Sequence, residues 1–249
     1  MKKIGIVGGV AWPSTVEYYA GLCQRAEARN PPAPAPASPT MPEMCIESLD
    51  MGKAVSFVGN DADETSWSCF DEYHRAALRR LERSGAECAV MASNTPHHRY
   101  AEIVRGIAIP VIDMFGVVAD ACARIGARRV LILGTSTVMD SAVFRAAFAR
   151  VDVEADKPHD PAARTAITSL IARLQQGAVD RGAARIRAIV RASRHGFAAQ
   201  SVVCLACTEL SLAFPGHKAH AVFELDGIRY VNAMALHIDA AFDVAASES

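Results

Sequence analysis

An apolar stretch at residues 201–206 runs into three residues that can take part in acid/base chemistry, namely Cys207, Thr208 and Glu209. A thiol at the carboxyl end of a buried strand, beside backbone N–H groups that open a helix, can be held partly as a thiolate. With its pKa moved from about 8.5 towards neutrality, such a thiol can remove a proton alpha to a carboxylate. The residues alone leave two hypotheses open, in which Cys207 is either a proton-transfer group or a buried structural thiol.

A second stretch has the same arrangement, because an apolar run ends in Ser93, Asn94 and Thr95. Removal of an alpha proton leaves an enediolate that carries concentrated negative charge. Backbone N–H groups at helix starts and nearby polar side chains can stabilise this charge. The candidate side chains are those of Asn94, Thr95, Thr135 and Thr208. We therefore expect the two strand ends to face each other across one small-molecule site.

The cysteine spacing does not support metal or redox chemistry. Cys204 and Cys207 form a C-x-x-C pair, but residues three apart in an extended strand point to opposite faces of the sheet. The sequence has no second pair that would complete a zinc site, and it lacks the G-x-S-x-G motif of serine hydrolases. We therefore expect no metal ion and no thioredoxin-like redox pair.

Length, composition and charge limit the class of protein and its partners. The chain has 249 residues, of which 51% are hydrophobic, and this suits one large or two small domains. A formal net charge of −1 gives no overall field that would favour nucleic acid or an anionic membrane. The seven cysteines are an odd number spread through apolar runs, which predicts reduced thiols and a cytoplasmic location. We expect no apolar run of the roughly 18 residues that a membrane span needs.

Strand patterns alternate with helical patterns along the chain and begin anew near residue 128. This alternation predicts an α/β fold with parallel-rich sheets flanked by helices. The predicted domains are residues 1–114 with 213–249, and residues 115–212. Ligands of such folds bind beyond the carboxyl ends of the strands. The polar clusters predicted at those ends are Gly8 and Gly9, Asp50, residues 93–95, Thr135 with Ser136, and residues 207–209.

Five short motifs, in order along the chain, resemble those of the aspartate/glutamate racemase superfamily. They are GGVAWPST at residues 8–15, SNTPH at 93–97, LGT at 133–135, LACTEL at 205–210 and ALH at 235–237. The second resembles the family's Cys-Asn-Thr-x-His motif and the fourth resembles its Gly-Cys-Thr-Glu-Leu motif. The likeness extends over essentially the whole chain.

The resemblance implies two pseudo-symmetric α/β domains with the active site in the cleft between them. It also implies a homodimer and an amino-acid racemase that needs neither pyridoxal phosphate nor a metal. Racemases of this family use two cysteines, on opposite faces of the substrate's alpha carbon, as base and acid. By position, Cys207 is the second cysteine and Ser93 stands in the place of the first. The implied substrate-binding residues are Ser14, Thr15, Asp50, Asn94, Thr95, Thr135, Thr208 and Glu209. The implied auxiliary residues are Trp12 and His97.

Ser93 is the main departure from the family's pattern. A hydroxyl is a far weaker acid than a thiol, so Ser93 can donate or relay a proton but cannot easily hold the ionised form of a base. The first hypothesis is a single-cysteine racemase of aspartate or glutamate, in which Cys207 is the better base. The alternatives are an arylmalonate-type decarboxylase or a related isomerase, an engineered variant in which Ser93 replaces a cysteine, and a non-catalytic binding module.

Overall fold

The computed structural model describes residues 1–29, 40–176, 181–193 and 200–247. The chain divides into two compact units, one formed by Met1–Asp113 with Ile238–Ser249 and the other by Met114–His237. Each unit contains its own sheet, and most strand pairs in both sheets are parallel. The predicted α/β class with parallel-rich sheets and flanking helices is confirmed.

The first unit is built on a three-stranded parallel sheet in the order β2-β1-β3. Its strands are β1 (Ile4–Gly8), β2 (Met44–Ser48) and β3 (Cys88–Met91). Every residue of β1 and β3 is buried, as expected for short apolar strands that are covered on both faces. The sheet packs on a core that includes Trp67, Phe70 and Leu78.

Helices follow each strand of the first unit. They are α1 (Trp12–Arg29), α2 (Met51–Ser56), α3 (Ser68–Arg83) and α4 (Tyr100–Ile103). Two 3₁₀ turns, Glu64–Trp67 and Thr95–Arg99, lead directly into α3 and α4. Pro96 is the second residue of the latter turn, where its lack of an N–H is tolerated.

The second unit is built on a five-stranded sheet in the order β5-β4-β6-β8-β7. Its strands are β4 (Arg129–Gly134), β5 (Glu154–Asp156), β6 (Ser201–Ala206), β7 (Val222–Leu225) and β8 (Ile228–Asn232). Among the described strands of this sheet, only β7 is antiparallel to its neighbour. Asp226 and Gly227 connect β7 to β8 with positive φ angles of 52° and 67°, as two-residue hairpin turns require.

Helices surround this second sheet. They are α5 (Met114–Arg124), α6 (Ser136–Asp140), α7 (Ala142–Ala149), α8 (Pro161–Gln175), α9 (Gly182–Ala192), α10 (Thr208–Leu212) and α11 (Ala233–Ala246). The boundary between the two units falls within α11. Among the described residues, no helix combines the length and the apolar character that crossing a bilayer requires.

The predicted domain boundaries need a correction over residues 213–237. The sequence pattern placed this segment in the first domain, but β8 pairs with β6 and β7 pairs with β8, so the segment completes the second sheet. Beside β3, Val111 forms an isolated parallel bridge with Ala89. Pro110 has no N–H group to continue a ladder there.

Candidate active site

Three strand ends of the first unit carry predicted site residues along one edge of its sheet. The parallel register pairs Val7 of β1 with Met91 of β3, so Ser93 lies just beyond the end of β3 and beside Gly9. The backbone pairing continues past the strands, because the N–H of Ala92 donates to the carbonyl of Val7 at 2.8 Å. The structure therefore brings the first loop and the 93–95 cluster together, as the sequence predicted.

The loop after β1 depends on Gly9 and Thr15. Gly9 has a φ of +83°, and a Cβ at this position would lie 2.2 Å from the carbonyl oxygen of Leu49. Its N–H donates to Oγ1 of Thr15 at 2.9 Å. The hydroxyl of Thr15, predicted to line the substrate pocket, thus has a structural role in closing the loop. Ser14 beside it is buried, whereas Trp12 is 66% exposed.

The side-chain amide of Asn94 is buried without hydrogen bonds in the described part of the chain. The residue is 4% exposed, and neither its Nδ2 nor its Oδ1 has a partner there. A buried polar group left unpaired costs about 1–3 kcal/mol, and native structures rarely leave such a group unexplained. A ligand that accepts from Nδ2, as a carboxylate does, would remove part of this cost. Asn94 is therefore the strongest sign of a ligand site in the first unit.

Buried contacts fix the 3₁₀ turn that follows Asn94. His97 is fully buried, with Nε2 3.3 Å from the carbonyl oxygen of Met91 and Nδ1 3.5 Å from Oδ1 of Asp113. Its ring stacks on Tyr100 with the ring planes 10° apart. These contacts give the predicted auxiliary residue His97 a role in holding the turn. Thr95, the first residue of the turn, is half-buried.

An ion-pair cluster that the sequence analysis missed anchors the other end of this turn. Arg99 contacts Asp71 through Nη2 at 2.8 Å and through Nε at 3.1 Å, and its Nη1 lies 2.6 Å from Oε1 of Glu64. The guanidinium group also lies over the ring of Trp67, 5.5 Å from its centroid. Next to it, Nε2 of His98 lies 2.8 Å from Oδ1 of Asp61. No local sequence signal pairs residues this far apart along the chain.

Asp50 is an exposed helix cap at the end of β2. Its Oδ1 accepts a hydrogen bond from the N–H of Lys53 at 2.7 Å, and its own N–H donates to the hydroxyl of Tyr73 at 2.9 Å. Capping of α2 accounts for an aspartate at this position without a ligand. Its predicted contact with substrate stays a prediction.

The second unit places Thr135 and Cys207 side by side at one edge of its sheet. Gly134 at the end of β4 pairs with Ala206 at the end of β6, so the next residue of each strand lies at the same level. Thr135 caps α6 by accepting from the N–H of Val138 at 3.4 Å. The strand ends that the sequence predicted for this unit are thus adjacent.

Cys207 is a buried thiol that is hydrogen-bonded to a carboxyl group. The residue is 5% exposed, and its Sγ donates to Oε2 of Glu209 at 2.8 Å. Burial raises the pKa of the Cys207 thiol well above its usual value, and the charge and hydrogen bond of Glu209 raise this pKa further. The N–H groups of Glu209 and Leu210 lower the pKa, but by less. The prediction of a thiol tuned towards neutrality is therefore wrong, because burial and a neighbouring carboxylate outweigh the helix N–H groups.

Thr208 and Glu209 direct their side chains towards each other. Oγ1 of Thr208 donates to Oε2 of Glu209 at 3.1 Å, and both residues are buried. Oε2 of Glu209 therefore accepts from the thiol and from the hydroxyl at once. Their predicted contacts with substrate stay predictions.

The hydrogen bond to Glu209 distinguishes Cys207 from the other buried cysteines. Burial raises the pKa of Cys88 to about 11 and that of Cys122 to about 12, and it raises the pKa of Cys204 well above its usual value. All seven cysteines are free thiols. Within the described residues, no group of three or more His, Cys, Asp or Glu side chains is arranged to hold a metal ion.

A polar pocket of about 480 Å³ lies in the second unit, between the start of α6 and the first turns of α8. Arg164 on its wall forms an ion pair with Asp140, which Lys157 also contacts. Two cations thus share one carboxylate, and a second carboxylate, that of Asp156, lies 3.0 Å from Nε2 of His159 on the pocket wall. The lining residues are Ser136, His159, Pro161, Arg164, Thr165, Thr168 and Ser169.

Known proteins of one family resemble this chain over nearly its whole length. A family model described as Asp/Glu/Hydantoin racemase matches residues 7–241. An aspartate racemase homologue from Pyrococcus horikoshii OT3 has 24% sequence identity and a TM-score of 0.74, with 99% of this chain and 100% of that chain covered. Picrophilus torridus aspartate racemase has 16% identity and a TM-score of 0.74, with 100% and 96% covered. Glutamate racemase from Campylobacter jejuni has 11% identity and a TM-score of 0.63, with 97% and 85% covered. At these identities the solved structures show a shared fold.

Proposed function

Because the chain belongs to the Asp/Glu/hydantoin racemase family of isomerases, we propose that it racemises an acidic amino acid, aspartate or glutamate, without a cofactor. The proposal rests mainly on Cys207, a buried thiol at a strand end whose proton lies on a hydrogen bond to a carboxyl group. Such a group can exchange a proton with an alpha carbon bound beside it. The family resemblance of the 205–210 motif supports the same role.

In the proposed reaction, the alpha-carboxylate binds to Asn94 and Thr95 and lies beside Thr208, whose hydroxyl donates to Oε2 of Glu209. The unpaired amide of Asn94 supports this assignment, because a carboxylate oxygen would accept from Nδ2. Donors placed around the carboxylate also stabilise the enediolate that forms when the alpha proton leaves. Binding and charge stabilisation thus use the same side chains.

The proton chemistry assigns Cys207 to one face of the alpha carbon and Ser93 to the other. Cys207 removes or returns the alpha proton on its face, and the hydroxyl of Ser93 delivers or relays a proton on the opposite face. An alkoxide is much harder to form than a thiolate, so alpha-proton exchange is expected to be faster from the enantiomer that presents its alpha proton to Cys207. Cys207 is the base for that enantiomer.

An acidic side chain on the substrate fits the charge distribution of the second unit. Two cations, Lys157 and Arg164, share the carboxylate of Asp140 beside the polar pocket. Arg164 lines this pocket and is the cation that would pair with a second carboxylate on the substrate. The cytoplasmic location and the homodimer expected from the sequence stay predictions.

The test is alpha-proton exchange in deuterium oxide, followed by proton NMR for both enantiomers of aspartate and glutamate with no added cofactor. We expect loss of the alpha-proton signal together with loss of optical activity. Cys207→Ala is expected to reduce the exchange rate at least about 100-fold. Cys204→Ala removes another buried thiol of the same sheet and serves as the matched control, with exchange retained. Absence of exchange with all four substrates would rule out the proposal.

A second candidate, decarboxylation of an alpha-disubstituted malonate, is favoured by one observation. The raised pKa of Cys207 keeps this thiol protonated at neutral pH, and a decarboxylase needs only an acid to protonate the enediolate that remains after carbon dioxide leaves. Release of carbon dioxide from such a malonate, with no exchange of amino-acid alpha protons, would favour this alternative over racemisation.

A further inference from the structure

The carboxyl group of Glu209 is positioned to take the thiol proton of Cys207. Sγ and Oε2 are 2.8 Å apart, and the hydrogen bond between them is buried. The hydroxyl of Thr208 donates to the same oxygen at 3.1 Å, which fixes the rotamer of Glu209. Both residues lie at the start of α10, where the N–H groups of Glu209 and Leu210 face the sulfur.

We propose that Glu209 is the proton acceptor for Cys207, so that the thiolate forms by transfer from Sγ to Oε2 and not by release of the proton to water. This inference rests on the proposed function and extends it by naming the group that generates the base. It gives Glu209 a role in proton transfer in place of the substrate contact that the sequence predicted.

The charge of the pair explains why internal transfer is favoured. Loss of the Cys207 proton to water would leave a thiolate and a carboxylate side by side in a buried place, which is costly. Transfer from Sγ to Oε2 leaves the total charge of the pair at −1. The N–H groups of Glu209 and Leu210 then stabilise the negative charge on the sulfur.

The steps balance as follows. At rest the pair is a neutral thiol and an ionised carboxyl group. The S–H bond breaks and an O–H bond forms at Oε2, which gives a thiolate and a neutral carboxylic acid. The thiolate then takes the alpha proton of the substrate, so that the C–H electron pair passes into the enediolate and a thiol forms again. The hydroxyl of Ser93 then delivers a proton to the opposite face of the enediolate, which forms the new C–H bond, and Ser93 takes a proton from solvent in its place. After the product has left, the carboxylic acid returns its proton to solvent and the resting pair is restored.

The test is the pH dependence of alkylation of Cys207 by iodoacetamide, because only the thiolate reacts. Alkylation of this residue is followed by peptide mass spectrometry, which separates it from the other six cysteines. The charge and the hydrogen bond of Glu209 act on the pKa of this thiol, so Glu209 is the side chain to replace. If the thiolate forms by internal transfer, the alkylation rate of wild type changes less than about twofold per pH unit between pH 6 and 8, because no net proton is lost. In Glu209→Gln the thiolate forms by loss of a proton to water, so the rate rises about tenfold per pH unit.

Turnover provides the second measurement. An amide cannot take the proton, so Glu209→Gln is expected to lose about 100-fold in alpha-proton exchange when Cys207 is the base. The matched control is Glu224→Gln, which changes an exposed glutamate of β7 in the same unit and is expected to leave both measurements unchanged.

Three results would overturn the proposal. They are a tenfold rise of wild-type alkylation per pH unit, no detectable alkylation of Cys207 in folded wild type, and exchange by Glu209→Gln within about threefold of wild type. If Glu209→Gln does not fold, the wild-type alkylation profile decides alone. The alkylation profile needs no substrate, so it tests the transfer even if neither aspartate nor glutamate is exchanged, which separates failure of this inference from failure of the proposed function.

Discussion

Asn94→Leu is expected to stabilise the protein in the absence of ligand, although replacing a buried polar residue is usually destabilising. Both polar atoms of the Asn94 amide are buried and unpaired in the described part of the chain. Leucine has a similar shape and needs no hydrogen bond. An unpaired buried group costs about 1–3 kcal/mol, so we expect the free energy of unfolding to rise by about that amount. For a chain of this size, this corresponds to about 2–4 °C in Tm for each kcal/mol.

Asn232→Leu is the matched control, because Asn232 is equally buried but has partners for both polar atoms. Its Nδ2 donates to the carbonyl of Lys218 at 2.9 Å, and its Oδ1 accepts from the N–H of Ala235 at 3.3 Å. The substitution removes these two hydrogen bonds, so we expect a loss of about 1–3 kcal/mol. The same chemical change should therefore have opposite effects at the two sites.

The assay is thermal unfolding followed by circular dichroism, with and without saturating aspartate or glutamate. A ligand that binds only the folded protein at 100 times its Kd raises the free energy of unfolding by about 2.7 kcal/mol. We expect this gain in wild type and little or none in Asn94→Leu. A variant that is less stable than wild type without ligand would refute the reasoning, because it would mean that the Asn94 amide is already satisfied. An undiminished ligand shift in Asn94→Leu would refute the assignment of the amide to the carboxylate.

Three further predictions follow from particular contacts. Ser93→Ala is expected to slow alpha-proton exchange more for one enantiomer than for the other, measured by proton NMR in deuterium oxide from each enantiomer, and equal losses would argue against unequal bases. Asp71→Asn removes the main partner of Arg99, whose side chain is only 11% exposed. We expect the free energy of unfolding, measured with urea, to fall by about 3 kcal/mol, and a fall below about 0.5 kcal/mol would contradict a stabilising role for this ion pair. Burial lowers the pKa of His74 to about 4, so below about pH 6.5 the unfolded chain binds a proton that the folded chain rejects. Stability is therefore lost as the pH falls from about 6.5 to about 4, by about 3 kcal/mol from this residue, and His74→Gln should remove that part of the loss in unfolding measured across this range.

The strand ends were predictable from the sequence, because short apolar runs that stop at polar residues are local patterns. The run before Ser93 and the run before Cys207 are both buried strands, and in each sheet these residues follow a strand at its carboxyl edge. The order of strands within a sheet is not local. The sequence placed residues 222–232 in the first domain, whereas the pairing of β8 with β6 and of β7 with β8 assigns them to the second sheet.

The properties of the site residues were harder to predict, because they depend on burial and on distant partners. The helix N–H groups near Cys207 predicted a lowered pKa for its thiol. Burial and the neighbouring side chain of Glu209 raise this pKa instead, and neither the depth of burial nor the rotamer of Glu209 can be read from the sequence. Asp71 and Arg99 are 28 residues apart, and no periodicity connects them. An aspartate at the position of Asp50 can be a ligand contact or a helix cap. Its hydrogen bond with the N–H of Lys53 shows that it caps a helix.

The protonation state of the site residues limits the order of events in the proposed reaction. Ser93 carries a hydroxyl, and the raised pKa keeps Cys207 as a thiol, so both proposed proton-transfer groups are acids at rest. Racemisation needs a base before anything else can happen, whereas decarboxylation needs none until carbon dioxide has left. A racemase built on these residues must therefore generate its base internally, and the carboxylate of Glu209, 2.8 Å from the sulfur, is the group in contact with the thiol that can do so. Loss of amino-acid exchange in Glu209→Gln would accordingly support both the reaction and the acceptor, while a malonate decarboxylase would tolerate the same substitution because its thiol only donates.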